Sequence, residues 1–354
     1  MTHAAGVNRD GVVVGNDQRN DRAFVYVHRS RVLSELPGHT VAGDINDHGQ
    51  IVASSLIPDN GFVALVFYLS GGETILASFF SDGCAISHSG LFAAGDAGDA
   101  YSFPQAVRWR VPDDSEAFPV KLVISDSQGL FKPFNHPDGR AQGVNDDGAM
   151  VGSSDTPTFD SHGHEAGIAT RAFLWQNGVP IDLGTLPGGT SSSANGINDR
   201  GEIVGRSDTA NGVSHAFLLR RDKMLDLGTL SHDPTLSSVA NRINDGGDIV
   251  GSSEVRLAAD NSIVQRAFVY NHGRLRNLTQ LIERESPLFG RVTLTSANAI
   301  SCNGQIAADG FDNATLESHA YLLIPQDHAR PSGGHGEDAR PTGDGCIDGL
   351  RAVR

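Results

Sequence analysis

The sequence predicts an all-β fold, a seven-bladed β-propeller. Three observations predict it: one phrase recurs seven times, the repeat has the length of a propeller blade, and no window keeps a 3.6-residue apolar period. The phrase is a small residue, two variable positions, Ile or Val, then Asn-Asp-x-Gly-x-Ile-Val-Gly. It is clearest at 194–205 and 240–251, close at 141–152, 42–53 and 4–15, and degenerate at 83–94 and 297–308, where Ser87 and Ser301 replace the asparagine. The turn positions 8, 46, 87, 145, 198, 244 and 301 stand on average about 49 residues apart.

Each repeat reads as four strands. The segment before the asparagine is the first and Ile-Val-Gly the second. Between them Asn-Asp-x-Gly suits a type I turn, with the Asn or Asp side chain bonding back to the backbone and Gly taking positive φ. The third has the form x-Ala-Phe-aliphatic-aromatic, as in Arg22–Tyr26, Arg171–Trp175, His215–Leu219, Arg266–Tyr270 and His319–Leu323. The fourth is an Asp-Leu-Gly segment, at Ile181–Leu186, Leu225–Leu230 and Leu275–Leu278. Repeats of this kind cannot bury a face alone and must stack. The sequence thus divides into a propeller over 1–325 and a Gly-, Pro- and charge-rich tail over 326–354. The first repeat opens on its first strand and the last stops at its third, which leaves one blade a strand short. The composition of the tail favours disorder. The alternative is that Ile347–Val353 folds back as the missing edge strand.

The phrases His-Ala-Phe, Asp-Leu-Gly-Thr-Leu and Ile-Asn-Asp-x-Gly-x-Ile-Val-Gly resemble the HAF repeat family, described as extracellular repeats of bacteria. The resemblance runs from about residue 4 to 323 and is tightest over 171–270. It implies a bacterial repeat protein and an extracellular location, and it brings no established activity and no catalytic residues. The first residues, Met1-Thr2-His3-Ala4-Ala5-Gly6, show no basic n-region or apolar h-region, and as written predict a cytoplasmic chain.

Composition narrows the function classes. Lys+Arg 27 against Asp+Glu 42 gives a net charge of −15, which argues against nucleic acid and anionic membrane surfaces as partners. No stretch approaches the roughly 20 apolar residues of a membrane helix, so no membrane insertion is expected. Three cysteines cannot build a disulfide framework. There is no Gly-x-Ser-x-Gly elbow, phosphate loop or His-Glu-x-x-His pair, and no cofactor is expected.

Five features could carry chemistry. In a propeller the first strand lines the axis, and the position after its small residue reads Ala5, Gly43, Cys84, Gln142, Asn195, Asn241 and Asn298. The amides Gln142, Asn195, Asn241 and Asn298 fall in adjacent blades and could hold a ligand at the axial mouth, since each both donates and accepts. The other reading makes them strand caps or holders of channel water. A slot opening the third strand reads Arg22, Val63, Gln105, Arg171, His215, Arg266 and His319, and predicts structural pairing with the turn aspartates Asp47, Asp146, Asp199 and Asp245. The insertion Ser153–Thr170 carries Asp155, Asp160, His162, His164 and Glu165, a set that reads better as a surface loop than as a metal site, and no metal is expected there. The Asn-Asp-x-Gly turns lack the acid spacing of a calcium loop. Cys84 on an inner strand reads as a buried small residue.

Two functions remain. The first is a propeller binding a small molecule, glycan or protein at its axial mouth, with the 160–165 loop as a lid. The alternative is an enzyme of lyase, hydrolase or cyclase type with its site at the axis. Breaks in the repeat at 95–140, including 131–138, and at 153–170 support the second.

Overall fold

The computed structural model describes residues 2–57, 61–76, 81–97, 105–111, 122–123, 139–159, 162, 164–326, 347 and 349–353. They form seven antiparallel sheets of four strands each, and every sheet is built from four consecutive strands. The blades span 2–35, 39–75, 81–123, 139–182, 192–228, 238–277, and 292–325 with 350–353. No sheet mixes the two ends of the chain, so the ring closes by packing of blade 7 on blade 1 and not by a shared blade.

The recurring phrase is explained by contacts both within and between blades. In blade 5 the Asn198 side-chain oxygen accepts from the backbone N–H of Arg200 and Glu202, which holds the turn. Gly201 closes it at φ +72°. The same asparagine then donates from Nδ2 to the Asn244 carbonyl of blade 6, at 3.1 Å. Asn8, Asn46, Asn145 and Asn244 reach the next blade in the same way. The repeated asparagine is therefore both a turn residue and a link between blades. The glycine of Ile-Val-Gly is forced by close approach: a Cβ on Gly251 would lie 2.0 Å from the Val239 carbonyl and 2.9 Å from the Phe268 ring.

The core lies between the blades. Phe217 of blade 5 is fully buried against Val151 and Ala172 of blade 4, and Leu183 of the connecting segment packs over it. Phe268 sits on Val204 and Ala216 in the next seam in the same way. This connecting role shifts the predicted fourth strands. Blade 4 ends its outer strand at Asp182, and 183–186 is the crossing to blade 5, because Leu183 is needed over the seam. One 3-10 turn, Leu278–Leu281, makes the equivalent crossing from blade 6 to blade 7.

The end of the chain departs from the disordered tail that its composition favours. Leu350–Val353 pairs with Ser318–Pro325 as the outer strand of blade 7, which is therefore complete. Alternation explains it: Leu350 and Ala352 point into the core with Ile347, while Arg351 points to solvent. Gly349 precedes the strand rather than interrupting it, and its carbonyl accepts from Gln326 N–H at 3.1 Å. Residues 327–346 lie outside the described residues.

Candidate functional site: an axial cup

The inner strand of every blade carries a bulge at one place. The register with the second strand skips a residue between Ala4 and Gly6, Ala42 and Asp44, Ala141 and Gly143, Ala194 and Gly196, Ala240 and Arg242, and Ala297 and Ala299. In blade 3 it skips Cys84. A bulge leaves its extra residue unpaired and re-aims it. The extra residues are those of the predicted axial slot, and all seven line one concavity of about 840 Å³. The small residues just before them, Ala42, Ala141, Ala194, Ala240 and Ala297, lie on the inner strands but are packed in the seams. Crowding at the axis falls two positions later, where a Cβ on Gly6 would meet Ile45 N at 2.9 Å.

Gln142, Asn195, Asn241 and Asn298 thus share one wall, as the sequence predicts, but three of the four have a structural duty. Asn195 Nδ2 donates to the Ala240 carbonyl at 2.9 Å, Asn241 to Ala297 at 2.8 Å, and Asn298 to Ala4 at 3.0 Å. Each ties its blade to the next. Blade 1 has Ala5 in the slot, and there Asn16 of the second strand bonds both N–H and C=O of Ala42 instead. Removing these amides therefore costs stability as well as cup lining, since they bond to the neighbouring blade and do more than hold channel water. Gln142 makes no hydrogen bond to another described residue. Recurrence of a polar residue at one slot located the wall; the side-chain bonds that occupy it were not legible without the ring.

Below the cup the channel narrows to a space of about 70 Å³ bordered by Ala85, Gly143, Gly196 and Ala299, with Asp44 and Arg242 among its charged groups and Asp47, His88 and Asp199 at its far end. Burial pushes the Asp44 carboxyl above the ordinary range, against the pull of Arg242. The Arg242 guanidinium is held by the carbonyls of Asn195 and Asn241 at 2.8 and 3.0 Å.

The far rim is made by the residue after each turn asparagine or serine: Arg9, Asp47, His88, Asp146, Asp199, Asp245 and Cys302. These turn aspartates are not the partners of the third-strand arginines and histidines, as the sequence suggests. Arg22 pairs with Glu35 and His215 with Asp226, both on the outer strand of the same blade. Asp47, Asp146, Asp199 and Asp245 instead accept the backbone N–H of the equivalent or following turn residue in the preceding blade, at 2.7–2.9 Å. His88 of blade 3 reaches across the axis, its Nδ1 3.4 Å from Asp199 and 3.3 Å from Asp245. The two carboxylates, Asp199 first, hold the His88 imidazole up to about 11.

Cys84 lies in the cup with its thiol pushed up to about 12, by burial and then by Asp96 and Asp82. Burial and these carboxylates disfavour the thiolate that a nucleophile would need. The predicted loop at 153–170 is mostly a long hairpin: strands Met150–Phe159 and Glu165–Gln176 pair out to Phe159 and Glu165. It rises on the cup side, since Ser153 pairs with Arg140 at the start of an inner strand and Arg140 lines the cup. The His162 and His164 rings stand 6.3 Å apart; Asp160, the Glu165 side chain and the segment 131–138 lie outside the described residues.

The fold and its site define a seven-bladed propeller with a cup on one face and a cross-bonded rim on the other. The chain belongs to the family described as a protein of unknown function, DUF3466, whose model matches residues 104–319. No curated protein matches it. Among solved structures it is similar to the β-propeller domain of the trilobed protease from Pyrococcus furiosus, reported to have an open velcro topology. That likeness has TM-score 0.55 and 7% identity over 91% of this chain and 93% of that one. It is also similar to the acylaminoacyl peptidase of Pyrococcus horikoshii, with TM-score 0.52 and 10% identity over 91% of this chain, which spans 51% of the peptidase. An ulvan lyase of polysaccharide lyase family PL25 matches with TM-score 0.48 and 13% identity, over 90% of this chain and 91% of the lyase. At these identities the likeness shows the fold alone.

Proposed function

We propose that this propeller binds a small, hydroxyl-rich ligand of saccharide type in the axial cup. The observation that carries the reading is that all seven blades contribute side chains to one concavity of about 840 Å³. Such convergence is the usual geometry of a small-molecule site. The wall mixes donors and acceptors with an apolar strip, since Val41 and Phe62 of blade 2 are 49% and 43% exposed there. Polyols need that mixture: hydroxyls bond the polar groups while a ring face lies on apolar carbon. The side chains of Gln142 and Arg140, which line the cup and make no hydrogen bond to other described residues, are the groups free to bind. The enzyme alternative would draw on His3, Asp82 and Asp96, which also line the cup, since burial and the nearby carboxylates hold the Cys84 thiol away from its thiolate form.

The test is a panel of neutral and acidic oligosaccharides, scored by thermal shift and then by calorimetry on the full chain. At least one member should raise the melting temperature, and Q142A and F62A should each weaken its binding tenfold or more, about 1.4 kcal/mol. A panel without any binder, or binding indifferent to both substitutions, would remove the reading.

A further inference from the structure

We infer that the rim opposite the cup holds a divalent transition-metal ion of the zinc type, bound by His88, Asp199 and Asp245. Their donor atoms come from blades 3, 5 and 6 and all lie within 4.8 Å of one another. His88 Nδ1 stands 3.4 Å from Asp199 Oδ2 and 3.3 Å from Asp245 Oδ2. Charge-assisted N–H···O bonds are shorter, about 2.7–2.9 Å. Donors around a tetrahedral ion with bonds of about 2.0–2.1 Å are separated by about 3.3–3.4 Å. Both histidine–carboxylate separations are those of a coordination shell, and the two carboxylate oxygens lie within 4.8 Å of each other.

The carboxylates are also held in place by contacts that leave these oxygens free. Asp199 Oδ1 accepts the Asp146 backbone N–H at 2.8 Å, and Asp245 Oδ1 accepts that of Asp199 at 2.9 Å. Each aspartate thus spends one oxygen on the neighbouring blade and turns the other toward the axis. Outer bonds of this kind orient metal ligands. His88 is fixed through its own backbone, whose carbonyl accepts from His48 Nδ1 at 3.1 Å. Asp44, Asp47 and Asp146 beside these ligands outnumber the arginines near them, Arg9, Arg200 and Arg242, once Asp199 and Asp245 are counted, and the excess negative charge draws cations toward the axis. One nitrogen and two carboxylate oxygens suit zinc better than calcium, which takes six to eight oxygens. The ion would bind three blades across the axis and close the base of the channel. The fourth coordination position is left to water or to a group on an incoming molecule.

Calorimetry with Zn²⁺ on the chelator-stripped full chain tests this, with the absorption of bound Co²⁺ as a second readout. One ion per chain should bind, the melting temperature should rise with zinc, and Co²⁺ should give a tetrahedral spectrum. H88Q and D245N should each lower Zn²⁺ affinity at least tenfold, whereas H162Q/H164Q should leave it unchanged. In D245N the remaining amide oxygen still accepts from Asp199 N–H, and H88Q alone decides if that variant does not fold. The site is overturned if no ion binds, if binding follows His162 and His164, or if both H88Q and D245N bind zinc as the wild type does. A melting temperature lowered by H88Q but indifferent to zinc would make His88 the rim's own cation, and would also overturn it.

Discussion

The seam between blades 4 and 5 and the seam between blades 7 and 1 are built from equivalent strands and are covered differently. At the first, the chain itself crosses. Leu183 N–H donates to the Ala172 carbonyl at 3.0 Å, Leu186 N–H to Ser207 Oγ at 2.8 Å, and Phe217 beneath them is fully buried. At the second, no crossing segment is present among the described residues. Phe24, the equivalent of Phe217, is only partly buried, and an apolar cavity of about 300 Å³ opens beside it, walled by Tyr26, Leu33, Tyr321 and Val353. Polar side chains serve there instead. Asp309 accepts from Ala4 N–H at 2.9 Å, from Asn298 Nδ2 at 2.9 Å and from the His3 ring, while Asn303 and Gln305 donate to the Arg9 carbonyl. Where Ser301 lacks the bridging amide of the five asparagine turns, Asn303 and Gln305 supply it. A linker is thus part of the hydrophobic cover, and a seam without one is held by hydrogen bonds.

The largest test of this contrast is to cut residues 347–354, which removes the outer strand of blade 7 and one wall of the closing cavity. Ile347 and Leu350 are fully buried, and two such side chains are together worth about 3–6 kcal/mol. The melting temperature should fall by roughly 4–8 °C. An unchanged melting curve would mean that blade 7 stands without its last strand.

Paired phenylalanine truncations come next. F217A should cost about 3–5 kcal/mol, as for any closed core site, and F24A about half as much. Equal losses in chemical denaturation would show that the closing seam is as tightly covered as the bridged one.

The smallest effect concerns His3. The bond to Asp309 raises its pKa above 6.5, so the imidazolium stabilises the folded state fully below 6.5 and less as pH rises through the raised value. The melting-temperature gap between wild type and H3Q should be widest near about pH 6 and shrink toward about pH 9. A pH-independent gap would assign His3 a packing role only.

Much of this was readable in the chain because each repeat solves the same local problem. Asn198 and Gly201 spell a turn that short-range geometry alone requires, and Phe217 and Ile203 spell a strand with one buried face. The slot of Gln142, Asn195, Asn241 and Asn298 was readable as well, since recurrence at one position means recurrence of one environment. What those amides do was not. The carbonyl that Asn195 meets belongs to Ala240 in another blade, and no spacing along the chain states that distance. The rim was hidden more deeply, because His88 breaks the repeat and its partners are two and three blades away.

The sequence by itself determined the number of blades, their inner strands and turns, and the seven slot positions that face the axis, for these follow from local backbone preference repeated along the chain. Only the tertiary structure decided that the last strand is Leu350–Val353, that the seam of blades 7 and 1 has no leucine cover among the described residues, and that His88 meets Asp199 and Asp245. The rim contacts join residues 111 positions apart or more, the last strand pairs with residues 25 to 31 positions back across a break in the repeat, and the seam depends on whether a linker crosses it; spacing within one repeat states none of these.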